Sequence, residues 1–83
     1  MKLKLYFFYS CPFCQIVLET IDQLSISVEL IDIMADEEER DFLRKKTGRY
    51  TVPCLFIDDH PMHESRDIIE WLNLNKNKIQ KND

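Results

Sequence analysis

Two cysteines stand one helical turn apart in Cys11-Pro12-Phe13-Cys14, directly after the apolar run from Leu3 to Tyr9. A Cys-x-x-Cys where a strand hands over to a helix sets the first sulfur at the helix N-terminus, where unpaired backbone N–H groups and the macrodipole favour a thiolate. Cys11 is therefore the expected nucleophile. Pro12 suits the first helical turn, because its fixed φ fits there and its missing N–H leaves no hydrogen bond unmade. Cys14 follows on the same turn, within reach of a mixed disulfide formed on Cys11, so the pair reads as dithiol redox chemistry.

Other uses of such a pair fit this chain less well. Structural zinc would have to recruit Cys54, His60 and His63, and no second Cys-x-x-Cys or His-x3-His is present. An iron-sulfur cluster needs four ligands, which this chain lacks unless a second subunit and a thiol cofactor supply the rest. A structural disulfide across so short a loop would remove little chain entropy. No resident metal is expected.

The elements that must position these thiols are few, because 83 residues suggest one small domain. A hydrophobic fraction of 45% with 31% charged residues is that of a soluble globular chain and argues against disorder. The net charge of -4 gives no footprint for nucleic acid, although Arg44, Lys45, Lys46 and Arg49 form a local basic cluster. No apolar run is long enough to span a bilayer and the N-terminus has no signal-peptide pattern, so a cytoplasmic chain is expected. Three cysteines fit a reducing compartment with one catalytic pair better than an exported disulfide framework.

Leu3 to Tyr9 is short, aromatic and nearly continuous, as expected of a first strand buried on both faces. From Pro12 the period changes, with Phe13, Ile16, Val17, Ile21 and Leu24 along one side of a helix that ends near Leu24. Val28 to Ile33 reads as a second strand, parallel to the first across that helix. Asp36 and Glu39 open a second helix as a capping box, Lys45 and Lys46 lie in its last turn, and Gly48 ends it. Its charge run, Asp36 to Arg40, reads as a solvated face. Cys54 to Ile57 is a third strand, Asp58 to Pro61 a turn, and a short fourth strand lies around Met62. Ser65 reads as the N-cap of a third helix with Ile68, Ile69 and Leu72 as its apolar stripe beside Trp71. Residues 75–83 form a polar C-terminal tail expected to fray or to add an exposed last turn, after a domain spanning residues 1–74.

The order is βαβαββα, an α/β arrangement with a four-stranded mixed sheet flanked by three helices. With Cys11-Pro12-Phe13-Cys14 after the first strand and Thr51-Val52-Pro53 opening the third, the chain resembles a glutaredoxin, an enzyme of thioredoxin-like fold. The stretch Thr47-Gly48-Arg49-Tyr50-Thr51-Val52-Pro53 followed by Leu55-Phe56-Ile57-Asp58 is similar to bacterial members, and the likeness covers roughly residues 1–74. The resemblance implies a cis peptide between Val52 and Pro53 facing Cys11, with glutathione paired β-like to the backbone of Val52. It further implies a glutathione site drawn from Tyr9, Phe13, Arg49, Thr51, Val52, Pro53, Glu64, Ser65 and Arg66. Without that resemblance, a trans proline at a strand start would be the simpler expectation.

Two departures stand out. Glutaredoxins usually carry a Gly-Gly pair before the last helix, whereas this chain has His63-Glu64 followed by Ser65. Glu64-Ser65-Arg66-Asp67-Ile68-Ile69-Glu70-Trp71-Leu72 instead resembles the N-terminal domain of glutathione transferases, whose Glu-Ser or Gln-Ser pair grips the γ-glutamyl group. Both families put that carboxylate at the helix N-terminus, where free N–H groups suit it. The plain alternatives are that Ser65 only caps the helix and Glu64 is only a surface charge. Phe8 stands where many glutaredoxins have a lysine, removing a cation that helps the thiolate and the glycyl carboxylate. Arg49, or Lys45 and Lys46, could take its place, although for the two lysines complementing the helix dipole is the simpler role.

Cys54 reads as a small buried residue turned from the face that Pro53 presents. His60 and His63 read as turn residues not placed to act as a base for Cys11. The expectation is a glutathione-disulfide oxidoreductase acting on protein disulfides or glutathionylated proteins, monomeric, with glutathione as co-substrate and no tightly bound cofactor, nucleic acid or membrane partner. Two other readings stay open: a glutathione-binding module like an isolated transferase N-terminal domain, and a carrier reduced by thioredoxin reductase.

Overall fold

Leu3, Leu5, Tyr6 and Phe7 are all buried, so the first strand, β1 (Leu3–Phe7), lies at the middle of the molecule with apolar side chains on both faces. The computed structural model describes residues 1–82, and Asp83 of the expected tail lies outside the described residues. After β1 come α1 (Pro12–Leu24), β2 (Glu29–Asp32), α2 (Glu37–Thr47), β3 (Cys54–Ile57), β4 (His60–Met62) and α3 (Ser65–Asn75). The four strands form one mixed sheet in the order β2-β1-β3-β4. β1 pairs parallel to β2 across α1, and antiparallel to β3, which pairs antiparallel to β4. This is the thioredoxin-like arrangement.

Strand alternation sorts the core into two layers. Leu5, Phe7 and Leu55 point to one face, where Val17 and Ile21 of α1 and Ile68 and Leu72 of α3 cover them. Tyr6, Cys54 and Phe56 point to the other, against Leu43 of α2. Burying each such Leu or Ile side chain is worth about 1.5–3 kcal/mol, so these two layers supply most of what holds the sheet. On the second face Tyr6 packs edge-on to Phe56 at 5.2 Å and stacks with Phe42 at 6.1 Å.

The helix ends follow their sequence signals, with instructive exceptions. Asp36 caps α2 through its carboxylate, which accepts the N–H of Glu39 at 3.2 Å, and Gly48 closes the helix at φ 82°. Glu39 does not complete a reciprocal capping box; its carboxylate accepts the buried Tyr6 hydroxyl instead, at 3.1 Å. Ser65 is not the cap of α3. Glu64 holds that position and makes no side-chain capping bond, so Ser65 is the first helical residue. On α1 the buried face is Cys14, Val17 and Ile21, while Phe13 and Ile16 are exposed rather than part of the expected apolar side.

The C-terminal segment is tied down rather than frayed. After a 3-10 turn over Lys76–Lys78, Ile79 is buried in the α1/α3 layer. The Gln80 carbonyl accepts the Ser27 N–H at 2.8 Å, and the Asn82 N–H donates to Ser25 at 2.7 Å, with Lys81 bridging Ile26 antiparallel. One buried isoleucine in a polar stretch was enough to fold it back. Among the described residues no helix is long and apolar enough to cross a membrane.

Candidate active site

The pairing directions bring three connections to one end of the sheet. β1 and β4 finish there and β3 starts there, so the loop before α1, the segment before β3 and the β4–α3 junction meet. Cys11, Val52-Pro53 and Glu64-Ser65 sit on those connections in that order.

Cys11 is the N-cap of α1. Its backbone is extended at φ -84° and ψ 115°, and its Sγ accepts the N–H of Cys14 at 3.4 Å. The side chain thus occupies the place where a serine or aspartate oxygen would satisfy a free helix donor. Its own N–H donates to Phe8 at 3.2 Å and its carbonyl accepts Gln15 N–H at 3.0 Å, which fixes the sulfur from both sides. The Gln15 side-chain amide also donates to the Tyr9 carbonyl, fastening the loop that carries Cys11. Gln15 supports this loop, and no motif in the sequence singles it out.

Cys14 lies behind Cys11 and is completely buried. Burial pushes its thiol up to about 12, a backbone hydrogen bond from Phe8 works against that shift, and the neighbouring Cys11 sulfur adds to it. Cys14 therefore stays protonated at neutral pH. Both cysteines, and Cys54 as well, are free thiols. Cys54 is also fully buried, its thiol pushed up to about 11 by burial against the opposing charge of Arg49. It faces Tyr6 and Leu43, away from the α1 layer that holds Cys11 and Cys14.

Beside the thiols opens a cleft of about 250 Å³ lined by Phe13, Thr51, Val52, Pro53, Glu64 and Ser65. Six residues named from the sequence are thus brought together. The Val52-Pro53 peptide is cis. Pro53 is buried and Val52 half-buried, whereas Thr51 and Glu64 are exposed. Glu64 adopts φ 69° and ψ 113°, a backbone conformation that costs a non-glycine residue about 1–3 kcal/mol. The usual Gly-Gly of glutaredoxins would avoid that cost, and here a carboxylate is held at the cleft in spite of it. Arg66 is exposed on the next residue of α3 but does not line the cleft, and neither does Arg49.

Tyr9 is placed elsewhere. It packs edge-on to Phe7 at 4.8 Å and lines a separate cavity of about 390 Å³ with Leu18, Ile21, Ile26, Val28 and Leu30. That cavity is the larger, yet none of the Cys11–Cys14 segment lines it, whereas Phe13, between the two cysteines, lines the smaller cleft. His63 is not a simple turn residue either. Its Nδ1 is buried without a partner, and burial, reinforced by Arg49 and resisted by Glu64, lowers its pKa, so the ring is neutral at pH 7. Among the described residues no group of three or more His, Cys, Asp or Glu is placed to hold a metal ion.

Comparison with known proteins bears on the family and the fold. The family described as glutathione S-transferase, N-terminal domain, matches residues 5–78. Glutaredoxin 1 of Rickettsia conorii is 35% identical over 52 residues, covering 60% of this chain and 51% of its own length, so this chain aligns with about half of that relative. The epsilon-class glutathione S-transferase of the housefly, Musca domestica, superposes over 93% of this chain and 36% of its own, with a TM-score of 0.77 and 29% identity. A glutathione transferase homolog of Drosophila mojavensis, solved with bound glutathione, covers the same shares with a TM-score of 0.77 and 25% identity.

Proposed function

The chain belongs to the glutathione S-transferase N-terminal-domain family of the thioredoxin-like fold, and from that premise we propose that it is a glutathione-dependent thiol-disulfide oxidoreductase working through Cys11 and Cys14. The observation that carries this reading is the unequal setting of the two thiols. Cys11 accepts a helix N–H at the end of α1, while Cys14 is buried and protonated one turn behind it.

The chemistry is sulfur exchange. The Cys11 thiolate attacks the glutathione sulfur of a glutathionylated protein; a new S–S bond forms, the old one breaks, and the protein sulfur leaves with the electron pair and takes up a proton. Cys11 then carries glutathione. A second glutathione thiolate attacks that bond, releasing glutathione disulfide and the Cys11 thiolate. With a protein disulfide as substrate, Cys14 is the resolving thiol, and its high pKa means that it acts only after losing its proton.

The cleft supports glutathione as the co-substrate. The backbone of Val52 offers an extended tripeptide a strand-like partner, and the N–H groups at the start of α3 suit the γ-glutamyl carboxylate. Glu64 lies within the same cleft to meet the ammonium group. Phe13 supplies an apolar wall, while Arg49 and Arg66 stand outside as longer-range cations. A solved relative with glutathione bound supports the same ligand.

The second reading is a glutathione-binding module without turnover, favoured by the transferase-type family match. A coupled assay separates them. Cys11→Ser should abolish reduction of a glutathionylated peptide in the presence of glutathione and glutathione reductase, whereas Cys14→Ser should retain much of it and trap glutathione on Cys11. Glutathione binding with no turnover by the unmodified chain would leave the binding module standing. Turnover with thioredoxin reductase but not glutathione would instead identify a carrier.

A further inference from the structure

The cleft accounts for few of the cations beside it. Arg44, Lys45 and Lys46 fill the last turn of α2, and Arg49 and Tyr50 lead from Gly48 straight into Thr51 at the cleft. All five of these side chains are exposed. The one ion pair among the described residues joins Glu37 to Arg40 in the first turn of α2, so the basic turn is not neutralised by a neighbouring carboxylate. Asp41, one turn back, is the nearest acid along the helix, and Glu64 is the acid within the cleft itself.

Two ordinary explanations fall short. The C-terminal end of a helix carries about half a negative charge, which one cation complements. Glutathione brings two carboxylates, of which the α3 N-terminus takes one. Four cations thus face a demand for about two, in a chain whose net charge is -4. An exposed aromatic is fixed to them as well: the Arg44 guanidinium lies 5.9 Å from the centre of the Tyr50 ring.

We propose that the basic turn Arg44–Tyr50 is a docking surface for an acidic segment of the protein that carries the mixed disulfide. The inference rests on the oxidoreductase reading and names the substrate class for that same site. When the glutathione part is seated in the cleft, the protein part is held at its rim. Tyr50 is one residue from the cleft and the Arg44 guanidinium lies over its ring, so the turn is reached by a substrate segment only a few residues long, at about 3.5 Å per residue. Tyr50 contacts that segment while the cations attract its carboxylates. Such rim charges act chiefly on the rate of association and are screened by salt.

The test uses three substrates: a glutathionylated peptide with Asp and Glu flanking the modified cysteine, the same peptide with Lys flanks, and the cysteine-glutathione mixed disulfide. At low ionic strength kcat/KM for the acidic peptide should exceed that for the basic one by roughly tenfold, and the ratio should collapse toward one in high salt. Lys45→Glu with Lys46→Glu should remove or invert the preference, read as the ratio between the two peptides, in which any common effect on the glutathione seat cancels. The Lys45→Gln, Lys46→Gln pair, which keeps the stems and lacks the reversed charges, should give an intermediate ratio. Equal kcat/KM for the two peptides, or a preference that survives the reversal, overturns the docking surface and leaves the oxidoreductase standing. No turnover of any of the three substrates overturns both.

Discussion

Glu64 is the residue at which stability and the proposed ligand recognition pull apart. Its backbone sits at φ 69° with no capping bond to compensate, while its carboxylate lines the cleft. Glu64→Gly should therefore stabilise the fold by about 1 kcal/mol, strain relief outweighing the added freedom of the unfolded chain. The same change should weaken glutathione binding. Denaturant midpoints and amide-shift titration with a non-reactive glutathione analogue read the two effects separately; a destabilised variant, or one that binds as well as the parent, contradicts the assignment. The sequence showed the departure from Gly-Gly but not its backbone cost, because φ is set by how β4 meets α3. In the same way Cys11, Cys14 and the Thr51-Val52-Pro53 segment were legible as motifs. The displacement of Tyr9 into the other cavity was not, since its packing on Phe7 depends on the exit angle of β1.

At the level of elements, periodicity carried most of the information. Buried runs gave β1 and β3, and Asp36 and Gly48 bounded α2 within a residue. Where the pattern misled, a contact distant in sequence decided the outcome. Phe13 and Ile16 fit an apolar helical side, but α1 turns Cys14, Val17 and Ile21 inward. Polarity points to a tail that frays or adds an exposed last turn; Lys76–Lys78 form such a turn, but beyond it Ile79 finds a place in the α1/α3 layer and its neighbours hydrogen-bond to the segment after α1. Ile79→Ala should cost about 2–3 kcal/mol and open the Ser27 and Asn82 amides to hydrogen exchange. A frayed tail would instead show a loss within about 0.5 kcal/mol and no change in protection.

For the whole molecule, the buried thiols set a limit on alkaline stability. Cys14 and Cys54 titrate at about 12 and 11 in the folded chain, against an ordinary 9.0. The unfolded chain loses those protons first, so above pH 9 it binds fewer protons than the native state and stability falls as pH rises. The contribution is complete below pH 9 and gone above the folded values. Reversible denaturation of the reduced protein from pH 8 to 11 should show this decline, and Cys54→Ala should make it shallower; an unchanged slope would mean that Cys54 is not a source of it.

The sheet also has two outer strands whose backbone could recruit a neighbour. In a hairpin closed by Ile57 and His60, that first pair exchanges hydrogen bonds and the next, Phe56 with Pro61, does not, so the donor Pro61 lacks belongs to the outward edge of β4. On the opposite edge, β2 begins and ends with the acidic residues Glu29 and Asp32. Proline on one side and like charges on the other make both margins poor templates for cross-strand aggregation. On the proposed reading, in which Val52 pairs with an extended tripeptide, the same sheet is thereby kept from offering strand-like backbone indiscriminately to copies of itself.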